Sequence, residues 1–228
     1  MLKFLRNFLL KKNKLHEVYT LINKDNIIFD IGAHIGGKSE KLTKFYSNLI
    51  LVEPQPNCVK ILQKKFKLNK NVKIVEKGVG NKKGFLDLNI NSQNPLISTF
   101  SEDWKVGRFK NYKWDKSIKV EITTIDDLIE KYGHPGFIKI DVEGFEYKVL
   151  QGLSKKTGII SYEFTSEFIE TTINCLNYLN DLGYEKFNYS EGERKKFSSE
   201  WSSQKDMIGI IKNNCLKNQL FWGDIYAR

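Results

Sequence analysis

Four short motifs in this chain of 228 residues join a hydrophobic run to glycine or acidic residues. The first, residues 27–37, reads IIFDIGAHIGG, and its Gly32 and Gly36 allow a sharp turn and close approach of a ligand. A dinucleotide-binding turn has the pattern GxGxxG, but His34 stands where its second glycine would be. Because Asp30 adds an anion, the motif favours a cationic ligand that lacks a pyrophosphate. S-adenosylmethionine, with its sulfonium and amino groups, is such a ligand; a plain strand-to-helix turn is the alternative.

Two further motifs predict where the adenosine part of this ligand binds. LVEPQP, residues 51–56, places Glu53 and Pro54 at the end of a second hydrophobic run, where a carboxylate accepts hydrogen bonds from ribose hydroxyls. The alternative role for Glu53 is to cap the next helix. EKGVGNKKG, residues 76–84, offers Gly78 and Val79 as backbone and apolar contacts for the adenine ring, although these residues are also typical of a plain turn.

The fourth motif, FIKIDVEGFEYKVLQG at residues 137–152, is the candidate for catalysis. Asp141 and Glu143 follow a hydrophobic strand, at the edge where doubly wound sheets bind ligands, and Asp141 is also expected to contact the cofactor. Glu163 ends the next hydrophobic run and is expected to face the same crevice. Glu146 is interpreted as a favourable charge at a helix N-terminus.

Methyl transfer to a hydroxyl needs a general base, because a hydroxyl is a poor nucleophile until its proton leaves. Asp141 is the first candidate, followed by Glu143 and Glu163. His34 is another candidate, whereas His134, which precedes a proline, is interpreted as a turn residue.

A metal-assisted variant stays open, in which Asp141 and Glu163 begin an oxygen-ligand site for Mg²⁺ or Ca²⁺. We expect no metal, because the sequence offers too few further ligands. The three cysteines, Cys58, Cys175 and Cys215, share no zinc-binding spacing. Their scattered positions favour reduced thiols and a cytoplasmic protein.

The order of the elements predicts an α/β fold, because short β-branched runs alternate with amphipathic stretches from residue 27 onward. The predicted strands are 26–31, 48–53, 72–75, 84–90, 118–122, 137–141 and 159–164. The predicted helices are 36–46, 57–68, 124–132, 145–150 and 166–182. Residues 184–189 and 206–212 are predicted to form a C-terminal antiparallel hairpin.

The remaining segments give less specific expectations. Residues 1–22 have helical amphipathic spacing, so residues 1–25 are predicted to be an N-terminal helical segment before one domain, residues 26–228. That helix either docks on the domain or lies on the inner face of a membrane as a peripheral contact. Residues 91–117 are interpreted as a lid or binding loop, because they have loop composition but contain Trp104, Tyr112 and Trp114.

Together these motifs resemble the FkbM family of methyltransferases. The resemblance rests on FDIGAHIGG, LVEPQP, VEITTIDDL, FIKIDVEGFEYKVLQG and the strand with Glu163, and it covers roughly residues 26–182. It implies a doubly wound, Rossmann-like fold with a mostly parallel seven-stranded sheet that binds S-adenosylmethionine at its carboxyl edge. It also implies O-methylation of a sugar, glycan or small natural product. His34 departs from the family, which commonly has asparagine there.

Two rival functions remain. The net charge of +10 favours a nucleic-acid methyltransferase, but only four basic residues are arginine, the residue that nucleic-acid sites usually recruit. The chain also lacks the Asn-Pro-Pro-aromatic tetrad and the Pro-Cys nucleophile of base methyltransferases. A non-catalytic nucleotide- or glycan-binding domain is the second rival, and the joint presence of Asp30, Glu53 and Asp141 argues against it. The sequence does not specify the acceptor or the oligomeric state.

Overall fold

The computed structural model describes residues 15–106 and 109–228. Its centre is a seven-stranded sheet with the strand order β3-β2-β1-β7-β8-β10-β9. These strands are β1 (Ile27–Ile31), β2 (Asn48–Val52), β3 (Val72–Val75), β7 (Pro135–Ile140), β8 (Ile159–Thr165), β9 (Phe187–Glu191) and β10 (Trp222–Ala227). The first five in chain order pair in parallel, whereas β10 runs antiparallel to both β8 and β9. The predicted mostly parallel sheet is confirmed.

A second sheet of three strands stands beside the large one. It contains β4 (Gly78–Val79), β5 (Gly84–Ile90) and β6 (Lys116–Thr123) in the order β4-β6-β5. The runs 84–90 and 118–122 are therefore strands, as predicted, but they pair antiparallel with each other outside the main sheet. Their apolar residues, including Leu88 and Val120, form a small core of their own.

Six α-helices connect the strands in the described part of the chain. They are α1 (Gly37–Leu42), α2 (Pro56–Lys65), α3 (Ile125–Tyr132), α4 (Glu146–Leu150), α5 (Ile169–Asp181) and α6 (Gln204–Lys217). Helix α3 begins with the expected cap: the Thr124 hydroxyl accepts a hydrogen bond from Asp127 N–H, and the Asp127 carboxylate accepts one from Thr124 N–H. The short α1 ends at Leu42, before the predicted end at residue 46.

One of the two strands predicted for the C-terminal hairpin is a helix in the structure. Residues 206–212 lie in α6, where Met207 and Ile211, four residues apart, are buried on one helical face. The Ser203 hydroxyl caps this helix by accepting the Asp206 N–H. The antiparallel partner of β9 is instead β10, further along the chain.

Hydrophobic side chains pack on both faces of the main sheet. Alternate residues of one strand point to opposite faces, so Phe29 and Ile31 of β1 belong to one core and Ile28 to the other. The second core also contains Leu15, Val18, Tyr19 and Ile22 from the segment before β1, which includes a 3₁₀ helix, Glu17–Leu21.

Most of the predicted N-terminal amphipathic helix, residues 1–14, lies outside the described residues. In residues 15–106 and 109–228, no helix has the length and apolar character needed to cross a bilayer.

Candidate functional site

A cleft of about 650 Å³, partly open to solvent, lies at the carboxyl ends of β1, β2 and β7. Seven of the predicted cofactor-binding residues line the cleft: Gly32, His34, Glu53, Pro54, Gly78, Val79 and Asp141. The apolar side chains of Leu88, Leu96 and Phe100 complete its wall.

The turn after β1 is fixed by backbone contacts to both neighbouring strands. The N–H groups of Gly32 and Ala33 donate to the Val52 carbonyl, at 3.0 and 3.1 Å, and Asp141 N–H donates to the Ile31 carbonyl at 3.0 Å. Gly32 has a φ of 82°, and a Cβ added there would lie 1.8 Å from the Asp141 carbonyl oxygen. Only glycine fits this position, as the motif predicts.

Glu53 is the most buried carboxylate facing the cleft, with 2% of its surface exposed. Its two oxygens accept hydrogen bonds from the N–H groups of His34, at 2.8 Å, and Gln55, at 2.9 Å. Burial raises the pKa of Glu53 to about 7, although both hydrogen bonds oppose this rise. The carboxylate is thus held in one orientation at the position predicted for ribose binding.

His34 adopts a left-handed backbone conformation, with a φ of 48°. This conformation directs its N–H towards Glu53. Asparagine and histidine are both enriched among non-glycine residues in this region, which accounts for histidine replacing the family's usual asparagine. Burial lowers the pKa of the His34 imidazole, and nearby Asp141 opposes this effect.

Two predicted cofactor-binding residues do not line the cleft. Asp30 is buried on the opposite face of β1, where its carboxylate accepts a hydrogen bond from the Ser39 hydroxyl. Successive side chains of a strand point to opposite faces, and Ile31 lines the cleft, so its neighbour Asp30 points away from it. A Cβ on Gly36 would contact Leu62 and Phe66 within 3 Å, so Gly36 allows helix α1 to pack closely on α2.

Lys139 is a site residue that the sequence analysis missed. Its ammonium is 2.7 Å from Asp141 Oδ2 and 3.7 Å from Asp30 Oδ1, and its side chain is 8% exposed. Although burial alone would lower the pKa of Lys139, the two carboxylates raise it above its usual range. The sequence feature that could have identified Lys139 is its position between two isoleucines in the hydrophobic strand FIKI.

The three predicted catalytic carboxylates meet at the carboxyl ends of β7 and β8. One oxygen each of Asp141, Glu143 and Glu163 lies within 4.8 Å of the others. Burial raises the pKa of Glu163 well above its usual value, and the neighbouring carboxylates raise it further. Burial also acts on Asp141, but Lys139 and Lys38 outweigh it and lower the pKa of Asp141. The acids therefore differ strongly in their affinity for a proton.

The turn between β7 and α4 holds this cluster in place. Glu143 has a φ of 55°, and its carbonyl accepts a hydrogen bond from the Thr99 hydroxyl at 2.6 Å. Glu146 Oε1 accepts the N–H groups of Val142 and Gly144, both at 3.2 Å, in agreement with its predicted role at the helix start. His134 is exposed beside the amino end of β7, at the edge away from the cleft, so its placement does not support its candidacy as a base.

Part of the predicted lid, residues 91–117, closes one side of the cleft. Gln55 Nε2 donates to the Pro95 carbonyl at 3.2 Å, and Ser98 and Phe100 line the cleft. Trp104 is 4% exposed and stacks on Phe168, with ring centroids 5.3 Å apart. The lid thereby joins the cofactor cleft to the turn that carries Glu143.

Trp104 also walls a narrow cavity of about 300 Å³ beside Glu163. Within this cavity the buried Trp104 Nε1 and Thr165 Oγ1 have no hydrogen-bond partner in the described part of the chain. Both polar groups are therefore available to hydrogen-bond a water molecule next to the acid cluster.

Comparison with solved structures finds similar chains among methyltransferases. A methyltransferase FkbM from Methylobacillus flagellatus KT has a TM-score of 0.57 and 15% identity; the match covers 95% of this chain and 47% of that chain. A precorrin-6y C5,15-methyltransferase from Geobacter metallireducens GS-15 has a TM-score of 0.48 and 14% identity, with 91% and 81% covered. A putative RNA methyltransferase from Pyrococcus horikoshii has a TM-score of 0.47 and 8% identity, with 92% and 76% covered.

The match to the Methylobacillus protein supports a common fold and no finer conclusion, and this chain spans about half the length of that protein. No match was found among curated proteins. The family model described as "Methyltransferase FkbM domain", however, matches residues 30–186, which hold both the cleft and the acid cluster. The chain therefore belongs to the FkbM family of S-adenosylmethionine-dependent methyltransferases.

Proposed function

We propose that this chain is an O-methyltransferase that acts on a hydroxyl of a sugar, a glycan or a small natural product. The observation that carries the proposal is the cluster of Asp141, Glu143 and Glu163 beside the cleft lined by Glu53. A hydroxyl acceptor requires a base, and this cluster offers carboxylates of different basicity within reach of one acceptor atom.

The cleft fits S-adenosylmethionine by its chemistry. Glu53 presents an immobilised carboxylate for the two ribose hydroxyls, and Val79, Leu96 and Phe100 supply apolar contacts for the adenine ring. Because Gly32 has no side chain, the Asp141 backbone packs directly against it, and both residues line the part of the cleft proposed for the methionine end of the cofactor. The carboxylate of Asp141 is a suitable neighbour for the sulfonium and amino charges.

When bound, S-adenosylmethionine supplies a methyl group whose bond to sulfur breaks, with both electrons kept by sulfur, as the bond to the acceptor oxygen forms. Glu163 is the proposed general base that takes the hydroxyl proton, because its raised pKa makes it the more basic carboxylate. A sulfonium charge nearby favours its ionised form. Asp141, ion-paired to Lys139, orients the cofactor, and Glu143 orients the acceptor hydroxyl.

No metal is required in this proposal. Lys139 and Lys38 already balance the charge of Asp141, at 2.7 and 3.9 Å, and burial raises the pKa of Glu163, which opposes its ionisation as a metal ligand. We expect methyl transfer to keep its full rate in excess EDTA. A loss of activity in EDTA that Mg²⁺ or Ca²⁺ restores would instead make the acid cluster a metal site.

The cofactor assignment is tested by calorimetric titration with S-adenosylhomocysteine. Glu53→Ala is expected to weaken binding about a hundredfold, because two hydrogen bonds to a charged group are lost. Glu130→Ala, at an exposed position on α3, is the matched control and is expected to bind like the wild type. Equal affinity in all three proteins would contradict the assignment.

The acceptor class is tested by comparing the methylation of polysaccharides in cells with and without the gene. Methylation that is lost with the gene supports the proposal, whereas methylated RNA that disappears instead would favour the rival function. A cytoplasmic location belongs to the same proposal, and Cys58, Cys175 and Cys215 are all free thiols.

A further inference from the structure

A second cavity, of about 570 Å³, lies on the face of the sheet that carries Asp30. Its floor consists of side chains from three adjacent strands: Lys139 of β7, Ser161 of β8, and Asp224 and Tyr226 of β10. The registers Lys139–Ser161 and Ser161–Tyr226 place these residues side by side. Nothing in the cofactor assignment uses this cavity.

One residue separates this second cavity from the cofactor cleft. Asp141 lines the cleft, and its Oδ2 contacts Lys139 and Lys38, which both line the second cavity. Glu163 projects from β8 towards the same face as Ser161, two residues earlier in the strand. A ligand in the cavity and a cofactor in the cleft would therefore meet at the acid cluster.

Basic side chains dominate the wall of the second cavity. Five cations line it, against two acids; the cations are Lys38, Lys41, Lys139, Arg194 and Lys195, and the acids are Glu193 and Asp224. Four of these cations are already engaged: Lys139 with Asp30 and Asp141, Lys38 with Asp141 at 3.9 Å, Arg194 with Glu191 at 2.8 Å, and Lys195 with Glu193 at 2.9 Å.

Lys41 differs from these cations. Among residues 15–106 and 109–228, no carboxylate lies within 4.0 Å of its ammonium, although it stands at the edge of the cavity on α1. The neighbouring His16 reflects the local charge, since Lys195 and Lys38 add to the effect of burial in lowering its pKa to about 4. The imidazole is therefore neutral, and Lys41 is left as the cation at this cavity that has no carboxylate partner in the described part of the chain.

We propose that this second cavity binds the methyl acceptor, and that the acceptor carries an anionic group, a carboxylate or a phosphate, which Lys41 holds. The inference rests on the proposed O-methyltransferase function and specifies its substrate class. The anion lies at the rim formed by α1, and a hydroxyl of the same molecule reaches the carboxylates of Asp141 and Glu163.

The test is calorimetry in the presence of saturating S-adenosylhomocysteine, with glucuronate, glucose 6-phosphate and glucose as probes. We expect at least one of the two anionic probes to bind more tightly than glucose. Lys41→Gln is expected to weaken the binding of that anionic probe about tenfold, because one hydrogen bond to a charged group is lost. The affinity for glucose should stay unchanged. Lys41→Arg should restore the affinity. Lys64→Gln, an exposed lysine on α2, is the matched control and should not change it.

Three results would overturn the inference: equal affinity for glucose and both anions, no binding of either anion, or unchanged anion affinity in Lys41→Gln. The titration with S-adenosylhomocysteine alone separates this failure from that of the proposed function. Normal binding of S-adenosylhomocysteine with no preference for anions rejects the acceptor class only. Absence of S-adenosylhomocysteine binding rejects the proposed function itself. Sugar carboxylates and sugar phosphates are distinguished by which anionic probe binds.

Discussion

At the scale of single residues, the site is a set of carboxylates whose proton affinities are separated by their surroundings. Glu53 is buried against two backbone N–H groups, Asp141 is paired with Lys139, and Glu163 is surrounded by other acids. Burial raises the pKa of Glu53 and Glu163, whereas the lysines lower the pKa of Asp141. Such separation suits a site in which one acid binds, one orients and one accepts a proton.

The raised pKa of Glu53 predicts that cofactor binding depends on pH. Ribose hydroxyls donate to the ionised carboxylate, and with a pKa of about 7 the ionised fraction falls as the pH falls. We expect the affinity for S-adenosylhomocysteine to decrease about tenfold from pH 8 to pH 6. Calorimetry at both values measures this change. Glu53→Gln should bind more weakly and lose the pH dependence; a pH dependence that persists in this variant would assign it to another group.

Glu163 is predicted to act in the chemical step. Glu163→Gln keeps the shape of the side chain but removes the base, so we expect kcat to fall about 10²–10⁴-fold while the affinity for S-adenosylhomocysteine is retained. Transfer of a radiolabelled methyl group measures the rate. Glu170→Gln, an exposed position on α5, controls for the loss of charge. Full activity of Glu163→Gln would exclude this role.

At the scale of elements, the structure was predicted correctly where a residue pattern is compatible with only one local structure. The runs that form β1, β2, β7 and β8 are mostly hydrophobic, as expected for strands buried on both faces, and the acids of the site lie at or just beyond their carboxyl ends. Gly32 was also predictable, because its turn excludes a side chain.

The sequence did not predict a residue's role where that role depends on contacts between segments that are distant in the chain. Asp30 stands in the right motif, but only the direction of β1 decides which face it occupies. Residues 206–212 contain a β-branched apolar run that is compatible with a strand, and packing of Met207 and Ile211 selects the helix instead. Lys139 finds its partner Asp30 across neighbouring strands, which single-sequence periodicity does not reveal.

The contact between Gly144 and Trp104 is predicted to hold the lid. Gly144 has a φ of 88°, and a Cβ there would lie 2.6 Å from Trp104 Cε3. Gly144→Ala is therefore expected to lower the free energy of unfolding by about 1–2 kcal/mol from backbone strain alone. It should also increase amide hydrogen exchange in residues 95–106, which mass spectrometry measures.

A matched control for this glycine lies in helix α6. An added Cβ on Gly209 has no atom within 4 Å, so Gly209→Ala should leave lid exchange unchanged and raise stability by about 0.5–1 kcal/mol. If the two variants exchange alike over residues 95–106, the contact does not hold the lid.

At the scale of the whole molecule, the net charge of +10 is carried mainly by lysine. Near the site, Lys139 and Lys38 contact Asp141, and Lys41 borders the second cavity. This arrangement suits a small anionic acceptor better than an extended polyanion, for which a continuous basic surface is usual.

We accordingly expect only non-specific affinity for RNA. Fluorescence anisotropy with a short labelled RNA at physiological salt should give a Kd weaker than about 10 µM, in the range of purely electrostatic binding. Heparin, as a competing polyanion, controls for charge. Binding below about 1 µM that resists heparin would favour the nucleic-acid rival.

The buried Lys139 has a consequence for how this site is studied by mutagenesis. An ammonium that loses one of two carboxylate partners inside a protein costs about 3–5 kcal/mol, which is a large share of the stability of a typical domain. A conventional alanine scan would therefore score Asp141 as essential even if it took no part in methylation. Combining Lys139→Met with both Asp141→Asn and Asp30→Asn removes the cation together with its two counter-ions, so that activity missing relative to a Lys139→Met, Asp30→Asn protein can be attributed to chemistry.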